Sequence, residues 1–224
     1  MERHFVQDLE ALKKSLIKMG SLAEQAISES IRSLLERRKD IGQQVIALDK
    51  EINTFEITID EQVVGLLALQ QPVATDLRFI LAAAGISTDL ERIGDHAVNI
   101  AQSALVYVDY PPVKQLVDIP HIAQITQQML RDVIDAFIHS NPALCRAVLR
   151  NDDVVDDLNR QVVADLVSVM HSNPDTIDPA LELIRVSRNL ERVADLATNI
   201  AEDVVFMYEA QVVKHHAETK GATK

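Results

Sequence analysis

The chain predicts an all-α protein made of two tandem, homologous three-helix bundles: six long helices related by an internal duplication. Three observations lead there. The 224 residues hold only six glycines, seven prolines and no tryptophan, with Leu, Ala, Val, Ile, Glu and Gln abundant. Apolar residues recur at alternating steps of three and four, the spacing of a helix with one buried face. The run LERIGDHAVNIA at 90–101 is written again, one hundred residues later, as LERVADLATNIA at 190–201.

The first helix carries the seam Phe5, Leu9, Leu12, Leu16, Met19, Ala23 and Ala26. The second carries Val45, Leu48, Ile52, Phe55 and Ile59, with Asp40 placed to cap it. Pro72 breaks the pattern and disfavours helical geometry at Gln71, and Thr75 is expected to cap a third helix running to about Val108. Pro111–Pro112 is the strongest break, so the domains are expected at 1–113 and 114–224. The fourth helix opens with Asp118 as cap and Pro120 in its first turn, and buries Ile122, Ile125, Met129, Val133 and Phe137. Asn141 and Pro142 start the fifth, whose seam is Leu144, Val148, Val155, Leu158 and Val162. Asp178 and Pro179 start the sixth, and the polar tail KHHAETKGATK is expected to fray.

Composition excludes several classes. The formal net charge of −12 argues against nucleic-acid binding, because that affinity rests on Lys and Arg neutralising phosphates. The single cysteine, Cys145, lies among Leu144, Ala147 and Val148 and reads as a small core residue in a reducing compartment. The N-terminal stretch carries acids and lacks the apolar core of a signal peptide, and no apolar run approaches the ~20 residues that span a bilayer, so a soluble cytoplasmic protein is expected.

Between Ile86–Ala101 and Val186–Ala201, nine of sixteen positions are identical. A shared core explains the identities Leu90/Leu190, Ala97/Ala197 and Ile100/Ile200, but not the polar ones. Glu91, Asp95 and Asn99 climb one ribbon at i, i+4, i+8, as do Glu191, Asp195 and Asn199, and this ribbon points away from the core stripe. Their neighbours differ between the copies: Thr88 against Arg188, His96 against Leu196, Val98 against Thr198. Carboxylates one turn apart repel by a few tenths of a kcal/mol, a sign that a bound cation reverses. The second helix of each half supplies a facing pair, Asp49 and Asn53 in one and Asp152 and Asp156 in the other, aligned through Ile52/Val155 and Phe55/Leu158. One acid pair of this kind is an ordinary solvated face. Four of them at equivalent places make metal binding a live reading. The histidines add nothing: there is no H-x-x-x-H or E-x-x-H pattern, and Glu91 and Glu191 are followed three residues on by Gly94 and Ala194, unlike ferritin-like di-iron bundles.

These runs, together with LQQPVATDLRFI ahead of the first, resemble the PhoU family, the phosphate transport system regulatory proteins of bacteria, over nearly the whole chain. The resemblance implies an accessory protein that restrains a phosphate-specific ABC transporter and keeps phosphate-starvation signalling off. The implied partners are the transporter's ATPase subunit and a membrane sensor histidine kinase, met at the membrane periphery. It also implies metal clusters held by paired E(D)-x-x-x-D motifs. Carried over, one site uses Asp49, Glu91 and Asp95 and the other Asp152, Asp156, Glu191 and Asp195, with Asn53, Asn99 and Asn199 as weaker ligands. The metal is iron, manganese, magnesium or zinc. Asn53 breaks the acid pattern, so the first site is expected to hold fewer or weaker metals.

With no nucleophile in a catalytic setting and no phosphate-binding glycine loop, the leading expectation is a regulatory adaptor rather than an enzyme, and a homodimer. Two alternatives belong to other classes. A two-metal phosphoester hydrolase would use the carboxylates to activate water, and a purely structural helical protein would carry them incidentally.

Overall fold

The protein, described from a computed structural model over residues 2–70, 72–113 and 116–209, is six helices with no strand among the described residues. They are α1 (Glu2–Glu36), α2 (Lys39–Gln70), α3 (Ala74–Tyr107), α4 (Asp118–His139), α5 (Pro142–Ser172) and α6 (Ile177–Glu209), with a 3-10 turn at Pro174–Thr176 before α6. The tail 210–224 and Gln71 lie outside the described residues.

Each half is an antiparallel trio, and the halves join face to face along α3 and α6. Gly85 abuts Asp203, and Nδ1 of His96 lies 2.8 Å from Oδ1 of Asn189, so α3 and α6 run in opposite directions. On the same logic α1 and α4 are antiparallel, since Gly20 packs on Ile134 and Glu24 pairs with Arg131. All seams read from the sequence point inward. Leu12, Met19, Val45, Ile52, Ile59, Leu90, Ile93, Ile100, Met129, Val133, Val148, Val155, Leu190 and Ile200 are fully or almost fully buried in one continuous core. Cys145 belongs to that core, and burial pushes its thiol up to about 12.

The duplication reaches the turns. Arg37 and Ser140 hold the left-handed conformation at φ 55° and 54°, each closing the first helix of its half. The next amide donates back to a carbonyl five residues earlier in both, Arg38 to Ser33 and Asn141 to Ala136, a Schellman closure without glycine. Arg37 then donates to the carbonyls of Val108 and Tyr110 and lies over the Tyr107 ring, tying the linker between halves to this turn.

Three expected caps are corrected. α3 begins one residue before Thr75, so Thr75 sits within the first turn, and Val73 at the N-cap has no side-chain acceptor to offer. Asp118 is the first residue of α4 rather than its cap, which is Val117. Asp40 lies inside the first turn of α2 with its carboxylate engaged by Arg38, which holds it below the usual range. Asn141 does cap α5, its side chain accepting from the amide of Ala143 with Pro142 in the first turn. Asn173 does the same for the 3-10 turn, so α6 starts at Ile177 and Asp178 stands in its first turn.

Candidate metal centres on the two hairpins

Residues 49, 53 and 56 lie on one ribbon of α2 by their i, i+4, i+7 spacing, and 91 and 95 do so on α3. Gly94 brings these ribbons together: a Cβ there would stand 3.4 Å from Oδ1 of Asp49 and 3.0 Å from Cδ1 of Ile52. The backbones therefore approach where the acids are densest.

In the first half Asp49, Glu56, Glu91 and Asp95 share one electrostatic neighbourhood. Burial raises the pKa of Asp49, helped by the charge of Asp95 and opposed by a 3.1 Å hydrogen bond from Nδ2 of Asn53. Glu91 is raised by burial and by Asp95, Glu56 and Asp49, and only Arg92 relieves it. In the second half burial pushes Asp152 up to about 6, with Asp195, Asp156, Asp153 and Glu191 adding to it. Glu191 is raised by burial and by Asp156 and Asp195, against Arg192 and Arg188.

All seven predicted acids are thus gathered into two clusters, one on each hairpin. Asn53 joins the first. Asn99 and Asn199 stay exposed one turn past Asp95 and Asp195. Glu56 was missed. Its own pKa is raised by burial and by Asp60 and Asp95, which places it inside the first cluster. The register that pairs Asp49 with Asp152 sets Glu56 opposite Asn159, so each half has four carboxylates and one asparagine amide, in permuted order. The signal was available: Glu56 lies three residues after Asn53 and starts an E-x-x-x-D of its own with Asp60.

The chemistry suits a hard cation: oxygen donors only, on two rigid helices, with too few positive charges to balance them. Three buried oxygens, Oδ1 of Asp49, Asn53 and Asp152, lack a hydrogen-bond partner, as an oxygen reserved for a cation would. The side chains are nonetheless apart: among the described residues no three His, Cys, Asp or Glu form a ready ligand set. Asp49 is held by Asn53, Glu191 by Asn159 at 3.1 Å and Asp195 by Arg192 at 2.8 Å, so taking up an ion means breaking these contacts. The open groove between α1 and α2 is no competing anion site, because its Arg32 and Arg38 are paired with Glu29, Glu36 and Asp40.

The PhoU domain model matches this chain twice, over residues 16–104 and 119–204, one match to each trio. The chain belongs to the PhoU family. Among its relatives, the phosphate-specific transport system accessory protein PhoU homolog of Aquifex aeolicus is 36% identical over 216 residues, covering 96% of this chain and 98% of that one. The Escherichia coli PhoU accessory protein is 32% identical over 211 residues, covering 94% and 88%. The crystal structure of PhoU from Pseudomonas aeruginosa superposes with a TM-score of 0.90 at 34% identity, over 92% of this chain and all of that one. The phosphate transport system regulatory protein PhoU of Streptococcus pneumoniae gives 0.85 at 25% identity, over 94% and 99%. The PhoU fold here carries its acids on both hairpins, with the His96–Asn189 contact between α3 and α6 close by in sequence. No helix among the described residues is long and apolar enough to cross a membrane.

Proposed function

We propose that this chain is a non-enzymatic regulator of phosphate transport, a cytoplasmic adaptor that restrains a phosphate-specific ABC transporter and its associated sensor histidine kinase. Several relatives are named as accessory proteins of the phosphate-specific transport system, which supports the general role. The observation that carries the molecular reading is the pair of acid clusters at equivalent places. Asp49, Glu56, Glu91 and Asp95 with Asn53 would hold metal in one half, and Asp152, Asp156, Glu191 and Asp195 in the other. Iron, manganese, magnesium or zinc would supply positive charge there, cancelling the repulsion and tying α2 to α3 and α5 to α6.

Docking is supported by apolar side chains on the same ribbons, about two to four turns toward the hairpin tips. Val64, Leu77 and Leu81 are exposed in the first half, and their counterparts Val167, Ile177 and Leu181 in the second. They offer two matching surfaces to the transporter ATPase, to the kinase, or to a second copy in a homodimer.

The test is retention of the purified ATPase subunit and sensor kinase on the immobilised chain, beside a variant with Glu91, Asp95, Glu191 and Asp195 changed to Ala. The adaptor reading expects the wild type to hold at least one partner, and retention of neither overturns it. Elemental analysis should show metal in the wild type and not in the variant. Phosphate release from a phosphoester supplied with Mn²⁺, lost in the variant, would replace the adaptor with a hydrolase.

A further inference from the structure

We infer that Asn159 is a positioning residue, which with Ser187 behind it fixes Glu191 and makes the second-half cluster the preorganised, tighter cation site of the two. The inference rests on the metal-binding reading above.

Asn159 sits on α5 at 8% exposure, and Ser187 on α6 is fully buried. The Ser187 hydroxyl donates to Oδ1 of Asn159 at 2.6 Å, while Nδ2 of Asn159 donates to Oε2 of Glu191 at 3.1 Å. Each atom's role is forced. An ionised Glu191 only accepts, so the amide NH₂ must face it, which leaves Oδ1 to take the serine proton. The amide is locked between the two, and it holds one carboxylate oxygen of Glu191 from behind.

The first half has the same three positions and no such relay. Glu56 stands where Asn159 does, and a carboxylate has no proton to donate to Glu91; it repels it instead. Ser87, the counterpart of Ser187, points its hydroxyl at Sδ of Met19, 3.5 Å away. A cation arriving at the second half meets Glu191 already oriented. One arriving at the first must also order Glu91, with loss of rotamer freedom. Partners that orient a ligand typically change metal affinity 10–100-fold when removed.

The experiment is calorimetric titration of the full, chelator-stripped chain with Mn²⁺, in a Glu91→Ala/Asp95→Ala background that leaves the second cluster. Asn159→Ala should weaken Mn²⁺ binding about 10–100-fold. Ser187→Ala, which keeps the amide in place and serves if Asn159→Ala folds poorly, should weaken it in the same direction by less. Adding Asn159→Ala to Glu191→Ala should give no further loss, because the asparagine acts through that carboxylate. Unchanged affinity in both single variants overturns the inference, and so does a full additional loss on top of Glu191→Ala. If the unsubstituted chain binds no Mn²⁺, the metal reading itself falls and takes this with it; binding that ignores Asn159 and Ser187 sinks the positioning role alone.

Discussion

Gly94 and Ile52 meet across the α2–α3 seam with no room for another methyl: a Cβ on Gly94 would come within 3.0 Å of Cδ1 and 3.3 Å of Cγ2 of Ile52. The second half has solved the same contact with a different pair of sizes, since the equivalent residues are Ala194 and Val155, both fully buried. A methyl has moved from one helix to the other. Gly94→Ala should therefore destabilise the protein by about 1–2 kcal/mol, the crowding outweighing the better helix propensity of alanine. Ile52→Val alone should lose about 0.5–1.5 kcal/mol. The double variant copies the second half and should lie within about 0.5 kcal/mol of wild type. Urea denaturation of the three variants checks this, and additive losses would contradict the exchange.

Asp152 predicts an unusual pH response. Its folded pKa of about 6 stands above the ordinary 3.8, so the folded chain binds more protons than the unfolded one between those values. The stabilisation from the neutral acid is complete below about 3.8 and lost as pH rises through about 6. With screening at this partly exposed site, the difference amounts to roughly 1–2 kcal/mol. Metal-free Asp152→Asn should be more stable than wild type by that amount at pH 7.5 and equal to it at pH 4. With metal present the sign should reverse, because the carboxylate then has a partner. Denaturation in chelator and in Mn²⁺, at both pH values, reads all four cases.

Glu56 should matter as much as the acids of the repeated motif. Glu56→Gln removes one of four carboxylates from the first cluster and should lower the metal content of that half. Asn53→Asp added to Glu56→Asn would rebuild the arrangement of the second half and restore the content. Elemental analysis of the single and double variants decides it; metal content indifferent to Glu56 would return the first site to Asp49, Glu91 and Asp95.

The fold was legible because it is written in apolar spacing: every seam from Leu12 to Ile200 turned inward as the period of three and four requires. The caps were less so. Thr75, Asp118 and Asp40 are good capping residues placed one or two positions past the caps of their helices, where helix length and packing rather than the local residue set the start. The acid clusters were legible through the duplication, which exposed Glu91 and Glu191 by comparison. Glu56 escaped because its counterpart is Asn159, so a search for matching acids passed over both. The relay through Ser187 could not be read at all, since it joins side chains 28 residues apart across two helices.

Cys145 should resist thiol reagents. Its sulfur is fully buried and its pKa is raised to about 12, so almost no thiolate exists at pH 8. Labelling with a disulfide reagent should proceed only at the rate of unfolding and become stoichiometric in urea. Rapid labelling of the native chain would mean that α5 opens readily from the core.

Leu81 and Leu181 test the docking surfaces separately from the metal. Both are about half exposed, one hundred residues apart in sequence, and each lies on the ribbon that carries its half's acids. Exchange of either for Asp removes exposed apolar surface without opening a core cavity, so the melting temperature should stay within a degree or two. Metal content should be unchanged as well, because the acids are about three turns away. Retention of the transporter ATPase or the kinase should fall at least tenfold if that leucine sits in the contact. A loss confined to Leu81→Asp or to Leu181→Asp would assign the partner to one half. Equal losses would mean that the partner spans both halves, and full retention by the double variant would remove these faces from the docking surface.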